Sequence, residues 1–169
     1  MFTVRCTARA LKRFRFQPAA ASSPSTTRLG SWYANLLNFR RQRLVICVSE
    51  RTLLPVLVPA LNDTFPVRLG EYVGQVLVRL GIPRDLIEAE IAQMGSWEIG
   101  RTQSRSVIGV MTEFSFAAPF ALATLSPLEV SLWLGDTPTS PLNGSDPISR
   151  TCEAFDVPPP PHPRRSSSI

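Results

Sequence analysis

Residues 96–116, SWEIGRTQSRSVIGVMTEFSF, contain the pattern from which the fold is most clearly read. Polar and apolar residues alternate briefly around Trp97 and Ile99, which favours a short strand. Thr102 or Ser104 can then cap a helix, because a side-chain hydroxyl accepts a backbone N–H that has no partner within the helix. The apolar face that follows at helical spacing consists of Val107, Ile108, Met111, Phe114 and Ala118. The stretch therefore predicts a strand followed by a helix over residues 102–116.

The start of this helix is a candidate anion-binding site. Arg101 and Arg105 lie where the helix dipole is positive, which is unfavourable by roughly 0.3–1 kcal/mol for each exposed cation. An internal carboxylate, Glu98 or Glu113, can compensate them, and because structural ion pairs are common this is the favoured interpretation. The alternative is an external anion held by the helix amides, the two guanidinium groups and nearby hydroxyls. Those hydroxyls belong to Thr102, Ser104 and Ser106.

Upstream of this stretch, the charges are distributed unevenly. The chain of 169 residues has 18 basic and 13 acidic residues, yet no acidic residue precedes Glu50. The first 49 residues contain nine of the basic ones: Arg5, Arg9, Lys12, Arg13, Arg15, Arg28, Arg40, Arg41 and Arg43. Such a block indicates an anionic partner, above all a nucleic acid, although an Arg-rich, acid-free N-terminus is also typical of mitochondrial transit peptides.

Two strands in this basic part favour a hairpin. Residues 32–39 and 44–49 are rich in apolar residues and are separated by Arg40-Arg41-Gln42-Arg43. A solvated turn explains that basic tip as well as contact with phosphate does. Arg40, Arg41 and Arg43 are therefore possible nucleic-acid contacts, together with Trp32, whose ring can stack on a base or belong to the core.

The remaining elements predict an α+β fold with one domain over residues 1–134. A small antiparallel or mixed sheet is expected from residues 2–7, 32–39, 44–49 and 96–100, covered by three main helices at 67–80, 83–94 and 102–116. Residues 8–16 favour a short basic helix, and residues 50–60, which contain Pro55 and Pro59, a helical turn followed by an irregular run. Residues 135–169 contain eight of the 16 prolines, so they are expected to form a mostly disordered tail.

Few chemistries are supported by these residues. The three cysteines, Cys6, Cys47 and Cys152, are widely spaced, which favours free thiols in a reducing compartment and no metal site. The single histidine, His162, lies in the predicted tail, so a histidine-based triad within the domain is excluded. No cofactor is expected. The sequence contains no run of 18 apolar residues, so a membrane span is not predicted. An enzyme that uses Glu50 with the Arg101–Glu113 block is a less favoured hypothesis, because an Arg–Glu structural network explains the same residues.

Three blocks, STTRLGSWYANLL, SERTLLPVLVP and IGRTQSRSVIGVMTEF, resemble a small bacterial domain family of unknown function, whose members occur alone or beside plasmid-borne open reading frames. The resemblance covers residues 2–134. The positions that match the family's late block are Arg101, Thr102, Arg105, Ser106, Gly109 and Met111. Ser104, Thr112 and Glu113 stand where Asn, Asn and Asp are typical of the family. The resemblance implies a bacterial, cytoplasmic protein and no particular activity.

The favoured functional hypothesis is a binding module that recognises nucleic acid, a nucleotide or another polyanion through arginines. The alternative is a protein-interaction or antitoxin-like partner, which the Pro-rich tail and the ERTLLPVLVP segment suggest. An enzyme is the third and least favoured possibility.

Overall fold

The computed structural model describes residues 1–60 and 62–161, and a five-stranded mixed sheet lies at its centre. In chain order the strands are β1 (Phe2–Cys6), β2 (Trp32–Phe39), β3 (Gln42–Ser49), β4 (Pro55–Pro59) and β5 (Trp97–Arg101). Across the sheet the order is β4-β3-β2-β1-β5. Strand β1 is parallel to β2 and β5, whereas the β2–β3 and β3–β4 pairs are antiparallel. The predicted α+β class with a mixed sheet is confirmed.

Within the described residues, six α-helices lie around the sheet: α1 (Ala8–Phe14), α2 (Phe65–Arg79), α3 (Arg84–Gln93), α4 (Arg105–Leu122), α5 (Pro127–Gly135) and α6 (Pro147–Ala154). The three predicted main helices correspond to α2, α3 and α4, and α4 continues to Leu122 although Pro119 lies inside it. Among the residues that the structure describes, none of the helices combines the length and the apolar character needed to cross a bilayer.

Both faces of the sheet are buried, because the strands place apolar residues alternately on two sides. On β3, Val45 and Cys47 belong to one core cluster, while Leu44, Ile46 and Val48 belong to the other. The first cluster lies under α2 and contains the buried face of α1, and the second lies under α4, which packs on β2 and β3. The molecule is therefore a sheet between two helical layers, so the faces of the sheet are covered, and the ends of the strands, the loops and the outer faces of the helices remain for binding.

Within residues 50–60, residues 55–59 form an edge strand, so the predicted irregular run was wrong, whereas the predicted turn precedes the strand, where the Leu53 N–H donates to the Ser49 carbonyl at 3.0 Å. Pro55 and Pro59 are the first and last residues of β4, which lies at the edge of the sheet, where a missing N–H costs no ladder hydrogen bond. The Leu57 N–H donates to the Ser131 hydroxyl on α5 at 3.0 Å. Helix α5 therefore covers the edge that would otherwise present unpaired backbone groups to solvent.

The predicted disordered tail begins too early in the chain. Helix α6 lies within it, and Ile148, Cys152 and Phe155 belong to the same buried cluster as β1 and α2. Phe155 is only 1% exposed. The folded domain therefore extends beyond residue 134 and includes α6, while residues 162–169, with His162, lie outside the described part of the chain.

Candidate polyanion-binding cleft

Strands β2 and β3 join in a tight turn at Arg40 and Arg41, as the basic hairpin predicts. Phe39 pairs with Gln42 across the hairpin, so the turn itself has two residues. Arg40 has φ 54°, in the left-handed region, and its guanidinium carbon lies 5.0 Å from the centre of the Phe39 ring. The tip is thus an ordered arrangement in which Arg41 and Arg43 are exposed on either side of Gln42.

Helix α1 supplies the second group of cations. The Thr7 hydroxyl accepts the Ala10 N–H and caps the helix, while Ala10 and Leu11 are buried against the sheet. The other face is exposed, and it carries Arg9, Lys12 and Arg13. The helix ends at Arg15, whose φ of 56° again lies in the left-handed region. Lys12, Arg13 and Arg15 lie at the C-terminal end of the helix, where the helix dipole is negative and stabilises positive charge.

These two groups of cations meet in one cleft of about 1230 Å³ between α1, the β2–β3 hairpin and the end of β4. The basic residues that line it are Arg9, Lys12, Arg13, Arg15, Arg41 and Arg43. Its other polar residues are Asn38, Gln42 and Asp63. The apolar residues of its wall are Phe14, Leu36, Leu44, Pro59, Ala60 and Pro127. The cleft thus combines an apolar surface with six cations.

The charges in the cleft are not compensated by ion pairs within the described residues. The four ion pairs found in residues 1–60 and 62–161 join Arg5, Arg68, Arg84 and Arg150 to carboxylates, and none of the six cleft cations takes part. Among the described residues that line the cleft, Asp63 is the only acidic one. A concentration of unpaired positive charge in a concave surface attracts anions.

At the start of α4, where the sequence predicts an anion site, the serine hydroxyls form hydrogen bonds within the protein. Ser104 caps the helix by accepting the Val107 N–H at 3.3 Å, and its own N–H donates to the Tyr33 hydroxyl at 2.9 Å. The Ser106 hydroxyl lies 3.2 Å from that of Ser104. Two of the three predicted hydroxyls are therefore engaged with the protein, and Thr102 is half-buried.

The two arginines of this site stay exposed, and neither forms an ion pair with any described residue. Glu98, one of the two expected partners, instead accepts the Thr3 hydroxyl at 3.1 Å and the Ser23 N–H at 2.6 Å. Glu113, the other, is exposed on α4. The favoured internal pairing is therefore wrong. Arg101 and Arg105 do not line the basic cleft, so the two predicted groups of arginines do not form one site.

Trp32 is fully buried in the cluster on the α2 side of the sheet. It has no exposed ring face, so the predicted contact between Trp32 and a nucleic-acid base is wrong. The cations on α1 were absent from the predicted contacts, although the acid-free N-terminal block includes all of them. Their convergence with the hairpin is a property of the tertiary fold.

Glu50 and its neighbours have structural partners. The Glu50 carboxylate lies 4.0 Å from the Arg5 guanidinium, and the Thr52 hydroxyl lies between those of Ser49 and Thr151. Among the described residues, no cluster of His, Cys, Asp and Glu could hold a metal ion. These contacts give Glu50 a structural partner in Arg5 and do not bring it to the Arg101–Glu113 block, with which the enzyme hypothesis combined it.

The chain belongs to a family described as a domain of unknown function (DUF6933), whose model matches residues 3–150. The match begins in β1 and ends within α6, so it spans the sheet and both helical layers. No curated protein and no solved structure matches the chain.

Proposed function

We propose that the protein binds single-stranded nucleic acid through the basic cleft between α1 and the β2–β3 hairpin. The observation that carries the proposal is the set of six cations in one concave surface, without ion pairs among the described residues. Each of these side chains can contact a phosphate oxygen, and such contacts give affinity without sequence preference.

The size and wall of the cleft favour an extended chain over a single small anion. Its volume of about 1230 Å³ exceeds the roughly 300–1,000 Å³ of typical small-molecule pockets. Its apolar wall includes the ring of Phe14 and the side chain of Leu36, both half-buried. Unpaired bases can cover such a surface while the phosphates meet the cations, whereas the bases of a duplex are hidden in the stack.

The backbone conformation of Arg15 offers a way to test this proposal. A non-glycine residue in the left-handed region costs about 1–2 kcal/mol, so glycine is the usual choice at the end of a helix. Arg15 adopts φ 56° there and directs its charge to the lining of the cleft. Asp156 has the same φ of 56° outside the cleft, so this conformation does not itself mark a binding residue, but it allows the guanidinium group to be removed without a loss of stability.

The same strain provides a test in which stability and binding change independently. Arg15→Gly relieves the left-handed conformation, and this gain is offset in part by the greater entropy of glycine in the unfolded chain. We therefore expect an unfolding midpoint at or slightly above that of the wild type. Binding of a fluorescent single-stranded oligonucleotide, measured by anisotropy, should weaken roughly fivefold at 0.1 M salt, because one counterion-releasing contact is lost.

Two controls isolate the cleft. Asp156→Gly makes the same backbone exchange, also at φ 56°, at a residue that does not line the cleft. Arg79→Gln removes one exposed positive charge at the end of α2, outside the cleft. Both variants should bind like the wild type. Equal affinity of Arg15→Gly and wild type would exclude the cleft as the site, and a wild-type protein that binds no oligonucleotide at 50 mM salt would refute the function. Binding of a duplex as tightly as the single strand would refute the role of the apolar wall.

A further inference from the structure

Helix α4 exposes two aromatic rings on the side that faces away from the sheet. Phe116 is 78% exposed and Phe120 is 72% exposed, and their ring centres lie 6.1 Å apart in an edge-to-face arrangement. The opposite face of the helix is buried in the core and includes Met111 and Ala118. The aromatic pair therefore contributes little to the packing of the monomer, and contiguous exposed apolar groups of this kind mark interaction surfaces.

A glycine continues the same stripe toward the N-terminus of α4. Gly109 is exposed, and a Cβ atom placed on it would meet no atom within 4 Å. Gly74 on α2 differs, since a Cβ there would lie 2.7 Å from the Ile91 side chain. The monomer thus gives no packing reason for Gly109, although glycine destabilises an exposed helix interior relative to alanine.

These residues project from α4 in similar directions. At 3.6 residues per turn, Phe116 and Phe120 point about 20° to either side of the direction of Gly109. Arg105 and Glu113 flank the same direction by about 40° on opposite sides. We call this outward side of α4 the stripe. From its N-terminus it carries the cation Arg105, the side-chain gap at Gly109, the anion Glu113 and the two aromatic rings of Phe116 and Phe120.

We infer that this stripe pairs with the same stripe of a second copy of the chain, with the two α4 helices antiparallel. In that arrangement Phe116 lies over Gly109 of the second copy, where the missing side chain leaves room for the ring. Phe120 then lies opposite Arg105 of the second copy, whose guanidinium has no ion pair among the described residues and can stack on the ring. The two aromatic rings, the gap at Gly109 and the Arg105 guanidinium thus each acquire a partner.

The charges favour the antiparallel pair over the parallel one. In a parallel pair every residue meets its own copy, so Arg105 faces Arg105 at helix ends that are already positive. The antiparallel pair separates the two arginines and opposes the helix dipoles. It brings the two Glu113 carboxylates near the two-fold axis, but both lie on the exposed flank, where water screens them.

One helix pair gives a small interface. α4 has 18 residues and is about 27 Å long, so the contact belongs to the low end of known interface sizes and predicts a reversible dimer with a dissociation constant in the micromolar range. Sedimentation equilibrium of the full chain between about 5 and 500 μM covers that range.

Variants of the stripe test the assignment. Phe116→Ser with Phe120→Ser should weaken the dimer at least tenfold, whereas Val67→Ser with Val78→Ser, which removes two exposed apolar groups from α2, should leave the dissociation constant unchanged. Gly109→Leu should also weaken the dimer at least tenfold while the thermal midpoint of the dilute monomer stays the same or rises. Arg105→Gln decides the orientation, because it weakens an antiparallel pair and strengthens a parallel one.

A wild-type chain that remains monomeric up to 500 μM would overturn the inference. The same result would overturn it even if another macromolecule were found to bind the aromatic pair. A dimer that the two Phe substitutions leave unchanged would place the interface elsewhere and overturn it equally. An Arg105→Gln dimer tighter than the wild type would refute the antiparallel arrangement.

Discussion

Replacement of Phe155 by alanine should destabilise the whole domain, although the residue lies in a segment whose composition favours disorder. The ring is 1% exposed and belongs to the same core cluster as β1 and α2. The Arg28 guanidinium lies 5.5 Å from its centre, and Arg28 also donates a hydrogen bond to the Ala154 carbonyl at 3.1 Å. Removal of a ring from such a site loses the burial of the ring and leaves a cavity.

The expected cost follows from this burial. Phe→Ala changes in closed cores cost about 3–5 kcal/mol, a large share of the roughly 5–15 kcal/mol by which domains are stable. For a domain of this size each kcal/mol lowers the thermal midpoint by about 2–4 °C, so a decrease of roughly 6–20 °C is expected. Urea unfolding followed by circular dichroism should show a lower midpoint with an unchanged slope, as expected if α6 and the sheet unfold together.

A neighbour on the same helix provides the control. Arg150 is exposed and pairs with Glu153 at 3.1 Å, so Arg150→Ala should change the free energy of unfolding by less than about 0.5 kcal/mol. A loss below about 1 kcal/mol for Phe155→Ala would show that α6 is not part of the cooperative unit, and the domain would then end with α5.

Two further predictions concern buried ionisable groups. Burial raises the pKa of the Cys6 thiol from 9.0 to about 12, so the unfolded chain releases this proton at lower pH than the folded one, and stability should be constant below about pH 9 and fall from there toward pH 12. In Cys6→Ala the fall measured by urea unfolding should be shallower, and an equal slope would contradict the assignment. Glu90, which is 3% exposed, accepts the N–H groups of Arg28 at 2.9 Å and Leu29 at 3.1 Å. Glu90→Gln should therefore cost about 1–3 kcal/mol in the same assay, whereas the exposed Glu88→Gln should cost almost nothing, and similar values for both would show that the two backbone contacts are dispensable.

The elements that could be predicted from the sequence are those whose pattern is local. The strand over residues 32–39 has the predicted bounds, and the helices at 67–80 and 83–94 are found at 65–79 and 84–93. In each of these elements the apolar residues recur with the period of one secondary structure, either the strand or the helix, so the local pattern identifies the element. Strand β4 lacks this signal because its middle residues are buried on both faces, and the α5 side chain that completes its edge lies far along the chain.

The C-terminal helix was missed for a different reason. Composition averages over a segment, and the eight prolines after residue 134 outweigh the three apolar residues that dock into the core. A local signal was nevertheless present, since Asp146 caps α6 through the Ser149 N–H at 2.8 Å and Pro147 begins the helix. An N-cap followed by proline is the usual start of a helix, and it indicates structure where composition alone does not.

The positive charge of the cleft could be predicted from the sequence, but its position in the fold could not. The acid-free N-terminal block indicates an anionic partner, yet neither periodicity nor spacing brings α1 beside the hairpin tip. That juxtaposition arises because the parallel β1–β2 pair directs Cys6 and Ala34 to the same end of the sheet. Strand β2 then continues past this end to Phe39, so the hairpin projects over the helix that follows β1.

The start of α4 shows how the fold itself can require part of a specific sequence pattern. Ser104 is required by the fold twice, once as the N-cap of an 18-residue helix and once as the donor to the Tyr33 hydroxyl on β2. These two bonds fix the helix to the central sheet at the point where the chain leaves β5. The folding of α4 therefore accounts for this part of the pattern without a ligand. Arg101 and Arg105 are as free of ion pairs in the described residues as the cleft cations are, but six cations converge in the cleft, so an anion has more to gain there than at the start of α4.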